Sequence, residues 1–182
     1  MNNLPQAQIE IALSKKKMIL SLIGANAFVG IGIWLLISPP KIENIVFGNP
    51  VFIFTSAVAN ILFFGLAAFL FIKKLSDKAV GLTINDKGII DNSSGVSGGL
   101  VLWSDVKEIK VAQVMSQKFL MVIVKNPQDY IKRQTNTFKR KTIALNFKYY
   151  GSPISISANA LATNFDTLNE LLQQKFNDNK LL

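Results

Sequence analysis

Met18 to Ser38 reads MILSLIGANAFVGIGIWLLIS, 21 residues without a charged side chain. Val51 to Ile72, VFIFTSAVANILFFGLAAFLFI, is 22 residues of the same kind. At about 1.5 Å rise per residue each run spans roughly 31–33 Å as a helix, enough to cross a hydrocarbon core of about 30 Å. The soluble alternative buries both as core helices. It needs a larger shell than the roughly 107 residues that follow Leu75 can supply.

The flanks favour two retained spans. Lys15-Lys16-Lys17 gives the first run the basic flank of a signal peptide. However, the run exceeds an h-region and ends Leu36-Ile37-Ser38-Pro39-Pro40 with no A-x-A cleavage site. Lys73 and Lys74 follow the second run, and the connection between the runs carries only Lys41 and Glu43. The positive-inside rule then places both termini in the cytoplasm of a cell whose inner membrane holds the hairpin, with Trp34 in the outer aromatic belt. The expected organisation is a cytoplasmic tail (1–17), a span (18–38), an external connection (39–50), a span (51–72) and a cytoplasmic domain (76–178). Only the first ten and last five residues are expected to be disordered ends, with fraying past Asn177.

Each run carries one asparagine near its middle, Asn26 and Asn60. An amide in hydrocarbon seeks a partner, so the two are expected to face each other, with Gly30, Gly32, Ala57 and Ala59 along the same seam. The alternative is two amides tolerated singly.

Composition narrows the chemistry. Of 182 residues none is Cys or His. That excludes disulfides, Cys or His nucleophile pairs, the Ser-His-Asp arrangement and most transition-metal sites. No cofactor and no metal are expected. The nine acids after residue 75 sit mostly where turns and caps place them, with no spacing that demands a metal or an acid–base pair.

Downstream of the runs the periodicity changes. Gly81–Asp86, Ile89–Asn92, Leu100–Trp103, Val106–Val114 and Lys118–Lys125 read as strands joined by turns, the last the most hydrophobic and so central. Antiparallel pairing follows. Asn126-Pro127 with Asp129 starts a helix, and Gly151 stops one. Between them Ile131, Phe138, Leu145 and Tyr149 fit a helical face, yet Ile143, Leu145, Phe147 and Tyr149 alternate as a strand does. The caps favour helix; residues 135–150 stay open between the two. Ile154–Ser157 is a short strand, and Asn164–Asn177 an amphipathic helix with Phe165, Leu168, Leu171, Leu172 and Phe176 on one face.

Asn92–Gly99, NSSGVSGG, resembles several phosphate and nucleophile loops without meeting their requirements. No Lys follows the glycines, as a Walker loop needs, and a strand follows where a dinucleotide loop needs a helix. Gly95-Val96-Ser97-Gly98-Gly99 spells a nucleophile elbow, but no His is available as base. A wide hairpin turn is the better reading, with Asn92, Ser93, Ser94 and Ser97 as candidate docking residues.

The charge pattern says more. From Pro127 to Tyr150 there are six bases, Lys132, Arg133, Lys139, Arg140, Lys141 and Lys148, and one acid, Asp129. That net +5 equals the excess of the whole region after residue 75. A basic amphipathic segment with Tyr130, Phe138 and Tyr150 beside it suits an anionic phospholipid surface. The plain alternative is a solvated basic helix. No nucleic-acid-binding motif is present.

With two spans followed by GLTINDKGIIDNSSG, LVLWSDVKEIKV, KFLMVIVKNPQDYI, YGSPISISANAL and NFDTLNELL, the chain resembles a family of uncharacterised bacterial membrane proteins. The cytoplasmic domain of that family is similar to bacterial pleckstrin-homology-like domains. The resemblance implies an α+β fold, a bent antiparallel sheet or partial barrel capped by a C-terminal helix. It also implies that Trp103 of Trp103-Ser104-Asp105-Val106 packs rather than binds. The long basic segment after Asn126 departs from it. The expected function is a non-enzymatic, membrane-anchored binding module for a protein partner or anionic lipid headgroups. The alternatives are a subunit of a larger membrane complex or homo-oligomer and, behind them, a lipid-acting enzyme.

Overall fold

The computed structural model describes residues 8–114 and 116–180. The expectations for residues 1–7 and 181–182 lie outside them. The chain forms two compact units: Lys15–Lys78, and a second assembled from the segments on either side of it.

The first unit is a helical hairpin of α1 (Lys15–Ile37) and α2 (Pro50–Leu75). Lys15, Lys16 and Lys17 are the first turn of α1 rather than the end of a tail. Asn49 caps α2, its Oδ1 accepting from the N–H of Val51 at 2.8 Å, and Pro50 takes the first helical position. Lys73 and Lys74 lie against the negative end of the helix dipole, and Lys74 also meets Asp77 at 2.8 Å. Both helices are long and apolar enough to cross a membrane.

Their seam runs along every seventh residue of α1, Met18, Ala25 and Gly32, against Ile53, Ala57 and Ala68 of α2. Small residues let the backbones approach. A Cβ on Gly32 would lie 2.7 Å from Ile61 and 3.1 Å from Asn60 Oδ1. Phe28 and Phe64 stack with centroids 4.4 Å apart. Gly32 and Ala57 are thus in the seam as expected, whereas Gly30 and Ala59 are exposed.

The asparagines do not face each other. Asn60 turns inward, its Oδ1 buried without a hydrogen bond. Asn26 is exposed, and its Nδ2 donates to the carbonyl of Leu22 one turn back. The reason is helical phase. Asn26 follows the seam residue Ala25 and so points about 100° away from it. Equal depth put the two amides level but not on facing sides.

The second unit holds two antiparallel sheets. One has the order β1 (Ile9–Ile11), β2 (Leu82–Ile84), β3 (Gly88–Asp91), β4 (Gly99–Leu102). The other has β5 (Val106–Val114), β6 (Gln117–Val124) and β7 (Ile154–Ile156), with β6 central as its hydrophobicity required. Strand β1 corrects the expected disordered start. Ile9, Glu10 and Ile11 pair with Ile84, Thr83 and Leu82, and Leu13 bridges to Leu161. Three residues with one polar member carry too little periodicity to be read locally. The strand exists because β2 offers it an edge.

Helix α5 (Phe165–Lys180) closes the core, with Leu168 and Leu172 fully buried. Asn164 caps it by accepting from Thr167 N–H at 2.8 Å. The helix continues through Asp178 and Asn179, where fraying was expected. One apolar cluster joins both sheets and the helix, including Leu82, Ile89, Val101, Leu120, Ile154 and Leu161.

Between β6 and β7 the basic segment is helical, but as two helices, α3 (Pro127–Lys132) and α4 (Thr137–Tyr150). The break falls where Asn136 supplies a new cap, its Oδ1 accepting from Lys139 N–H at 3.0 Å. Gly151 ends α4 with φ +72°, a left-handed conformation that other residues adopt at a cost. The strand-like alternation of Ile143 to Tyr149 is overridden, since only Ile143 of those four is fully buried.

Candidate functional site

Sequence reading left the NSSGVSGG loop and the basic segment as separate candidates. The fold brings them together through Tyr130 and Arg133. Tyr130, buried on α3, donates its hydroxyl to Asp105 Oδ2 at 2.8 Å and accepts from Leu102 N–H at 3.4 Å. Burial, reinforced by the bond to Asp105, pushes the phenol up to about 12. The Arg133 guanidinium lies 4.0 Å from the Tyr130 ring centroid. Its Nη2 donates to the carbonyls of Gly98 and Leu100. Asp105, Tyr130 and Arg133 therefore strap α3 across the end of β4. Their partners lie roughly 25 to 35 residues away along the chain, so no local pattern announces the strap.

The strap changes the roles expected of the loop and of one base. Arg133 was a candidate membrane contact; it is exposed, and its Nη2 is held by two backbone carbonyls. Ser93 and Ser97 are buried, so they are not exposed docking residues. Ser93 N–H donates to Asp91 Oδ1 at 2.8 Å, which turns the loop inward. Asn92 is half-buried and tied to the carbonyls of Gly81 and Val80. Ser94 caps its own turn by accepting from Val96 N–H. Gly98 presses on β7, where a Cβ would come within 2.3 Å of Ile154. The strand that follows, β4, confirms that Ser97 is not on a strand–helix elbow.

The other bases divide by their place on α4. Ile143 packs inward and the Asn146 amide donates to Ser155 Oγ on β7 at 3.2 Å. On the opposite side Phe138, Lys141, Leu145, Lys148 and Tyr149 recur at helical spacing and are all exposed. Phe138 is 73% exposed and Tyr149 68%. Helix α4 contains four bases and no acid. Lys139 is half-buried, while Arg140 is exposed off this stripe and Lys132 on α3. The exposed surface of α4 is a basic, aromatic ridge, with Phe138 on it and Tyr130, which was expected beside it, buried instead on α3.

Among the described residues, two surface pockets of this unit bear on the candidates. One, of about 350 Å³, is lined in part by Trp103, Lys107, Lys125, Phe176 and Lys180. The other, of about 190 Å³, lies under α4 between Met121, Asn146, Tyr150 and Ser155. Neither is lined by Asp91, Ser97 or Asp105, the residues an enzyme reading would gather. Among the described residues no group of three or more acids forms a metal cage. Trp103 packs in the core as expected, with Nε1 donating to the Asn85 carbonyl at 2.8 Å. No family model, curated protein or solved structure matches the chain.

Proposed function

We propose that this is a non-enzymatic, membrane-anchored module that holds the α4 ridge against the anionic inner surface of its own bilayer. The observation that carries the reading is the ridge itself: Phe138, Leu145 and Tyr149 exposed together with Lys141 and Lys148, on a helix without an acid. Apolar and aromatic side chains enter the headgroup boundary while lysines meet anionic lipid, each base adding about 1 kcal/mol.

Connectivity supports the anchoring. The hairpin leaves the second unit after β1 and re-enters it before β2, within a few residues at each side. Strands β1 and β2 pair, so a spanning hairpin must return to the side it left. The lysines at both helix ends support the cytoplasm as that side under the positive-inside rule. The four-plus-three strands and closing helix support the pleckstrin-homology-like reading, with two departures. The spans are inserted after the first strand, and α3 and α4 are inserted before the last.

The test uses the full chain, whose lack of cysteine permits single labels. A Leu145→Cys protein carrying an environment-sensitive dye is reconstituted in phosphatidylcholine, with and without phosphatidylglycerol. The emission should shift to the blue with the anionic lipid, and Lys141→Gln with Lys148→Gln should abolish the shift. A label that stays in water in both bilayers overturns the reading. A blue shift obtained only after adding a protein fraction would move the ridge to a protein partner.

A further inference from the structure

Asn26 poses a problem that its own hairpin does not solve. Ser21 and Thr55, the hydroxyl residues near the helix ends, return their single proton to carbonyls of their own helix. An amide has more to satisfy. One N–H of Asn26 goes to Leu22, which leaves a second N–H and the Oδ1 acceptor. The interior of a helix offers no spare N–H to that oxygen, because each already bonds one turn back. In hydrocarbon an unmet amide costs several kcal/mol.

The surroundings of Asn26 indicate what meets it. Ile19, Ile23, Asn26, Gly30, Ile33 and Ile37 are all exposed. They alternate at spacings of four and three, the repeat of a helix–helix seam, about a third of a turn from the seam with α2. Gly30 has nothing within 4 Å of where its Cβ would be, so one turn from the amide a backbone can come close. The amide lies near the middle of the span, so its partner must be polar and at the same depth. A second copy of this chain supplies that. A carboxamide is donor and acceptor at once, so across a two-fold axis two Asn26 side chains satisfy each other.

Resting on the membrane-spanning reading of the hairpin, we infer that the Ile19–Ile37 stripe of α1 is the interface of a parallel homodimer registered by Asn26. The lone polar residue fixes the register, as a single buried Asn does in a coiled coil.

Single-cysteine scanning of the full chain in membranes tests this. Oxidation should give a disulfide dimer from Ile23→Cys, Gly30→Cys and Ile33→Cys, and none from Leu20→Cys, Ala27→Cys or Ile31→Cys, which lie about 100° further round the helix, away from the stripe and from α2. In the Ile33→Cys background, Asn26→Val should lower the dimer fraction about tenfold. Asn26→Gln, which keeps the amide, should restore part of it. Crosslinking that is uniform around α1, strongest on the Leu20 face, or indifferent to Asn26→Val overturns the inference. So does an adduct heavier than a dimer, which would mean a different partner. In the same membranes, Asn44→Cys should react with an impermeant maleimide from outside. Labelling without the crosslinking pattern leaves the hairpin spanning and removes only the dimer; loss of both removes the membrane reading too.

Discussion

At the scale of single residues, the strap separates bases that composition treats alike. Arg133 and Lys141 each add one charge to the same short segment. Arg133 is committed to the Gly98 and Leu100 carbonyls, whereas Lys141 points outward beside Phe138 and Leu145. Arg133→Ala should therefore cost about 1–2 kcal/mol of stability through two carbonyls left without their charged donor. It should leave the anionic-lipid blue shift in place. Lys141→Gln should do the reverse, changing thermal stability by less than about 0.5 kcal/mol while weakening the shift. Thermal unfolding in detergent and dye emission in vesicles read the two effects independently. Tyr130 gives a second residue-scale prediction. Its phenol is held protonated to about 12, while the unfolded chain releases that proton near 10. The stability it contributes is fully present below about pH 10 and is lost as pH rises through about 12. Ultraviolet titration should show a phenolate step near 12 that Tyr130→Phe removes, together with its share of the alkaline loss of stability.

At the scale of elements, α4 shows what patterns carry and what they cannot. The Gly151 stop was legible because a left-handed terminus demands a particular residue. Asn126-Pro127 marked the start of α3, though the Asn126 side chain makes no cap hydrogen bond. The break before Thr137 was missed although Asn136 is a good cap, since an Asn inside a polar run does not declare which side it caps. Strands β2 to β7 were legible from alternation and turn residues. The strap was not, because Asp105, Tyr130 and Gly98 meet only once the sheets have formed. Asn136→Ala should remove the cap of α4 at about 1 kcal/mol, and Gly151→Ala should add about 1 kcal/mol at its other end. Hydrogen exchange should then speed up in Thr137–Tyr150. Protection of α5, whose Leu168 and Leu172 lie in the shared core, should hold.

At the scale of the whole molecule, the consequence of β1 is one of parity. Residues 9–11 and 82–84 form one ladder, yet 64 residues of hairpin are threaded between the flanking segments. If each helix crosses the bilayer once, the ladder forms only when the number of crossings is even. Deleting Asn49–Leu75 leaves one span and strands β1 on the far side of the membrane from β2. The edge of β2 is then bare, and Ile9 and Ile11 no longer cover the core. Deleting the hairpin from Lys15 to Lys78 and joining its flanks with a flexible ten-residue linker, of roughly 17–19 Å end-to-end reach, should keep the ladder. A chain that simply begins at Ser76 lacks β1 altogether. Limited proteolysis should therefore rank the linked two-segment protein as resistant as the full chain, and the Ser76 chain and the one-span chain as more sensitive. The two sensitive chains should be rescued alike. A peptide of residues 8–14 added from the cytoplasmic side restores resistance to both, because each lacks only its strand. Equal resistance in the one-span chain without peptide would show that β1 and β2 share a side without α2 crossing, and the hairpin would then not be a pair of spans.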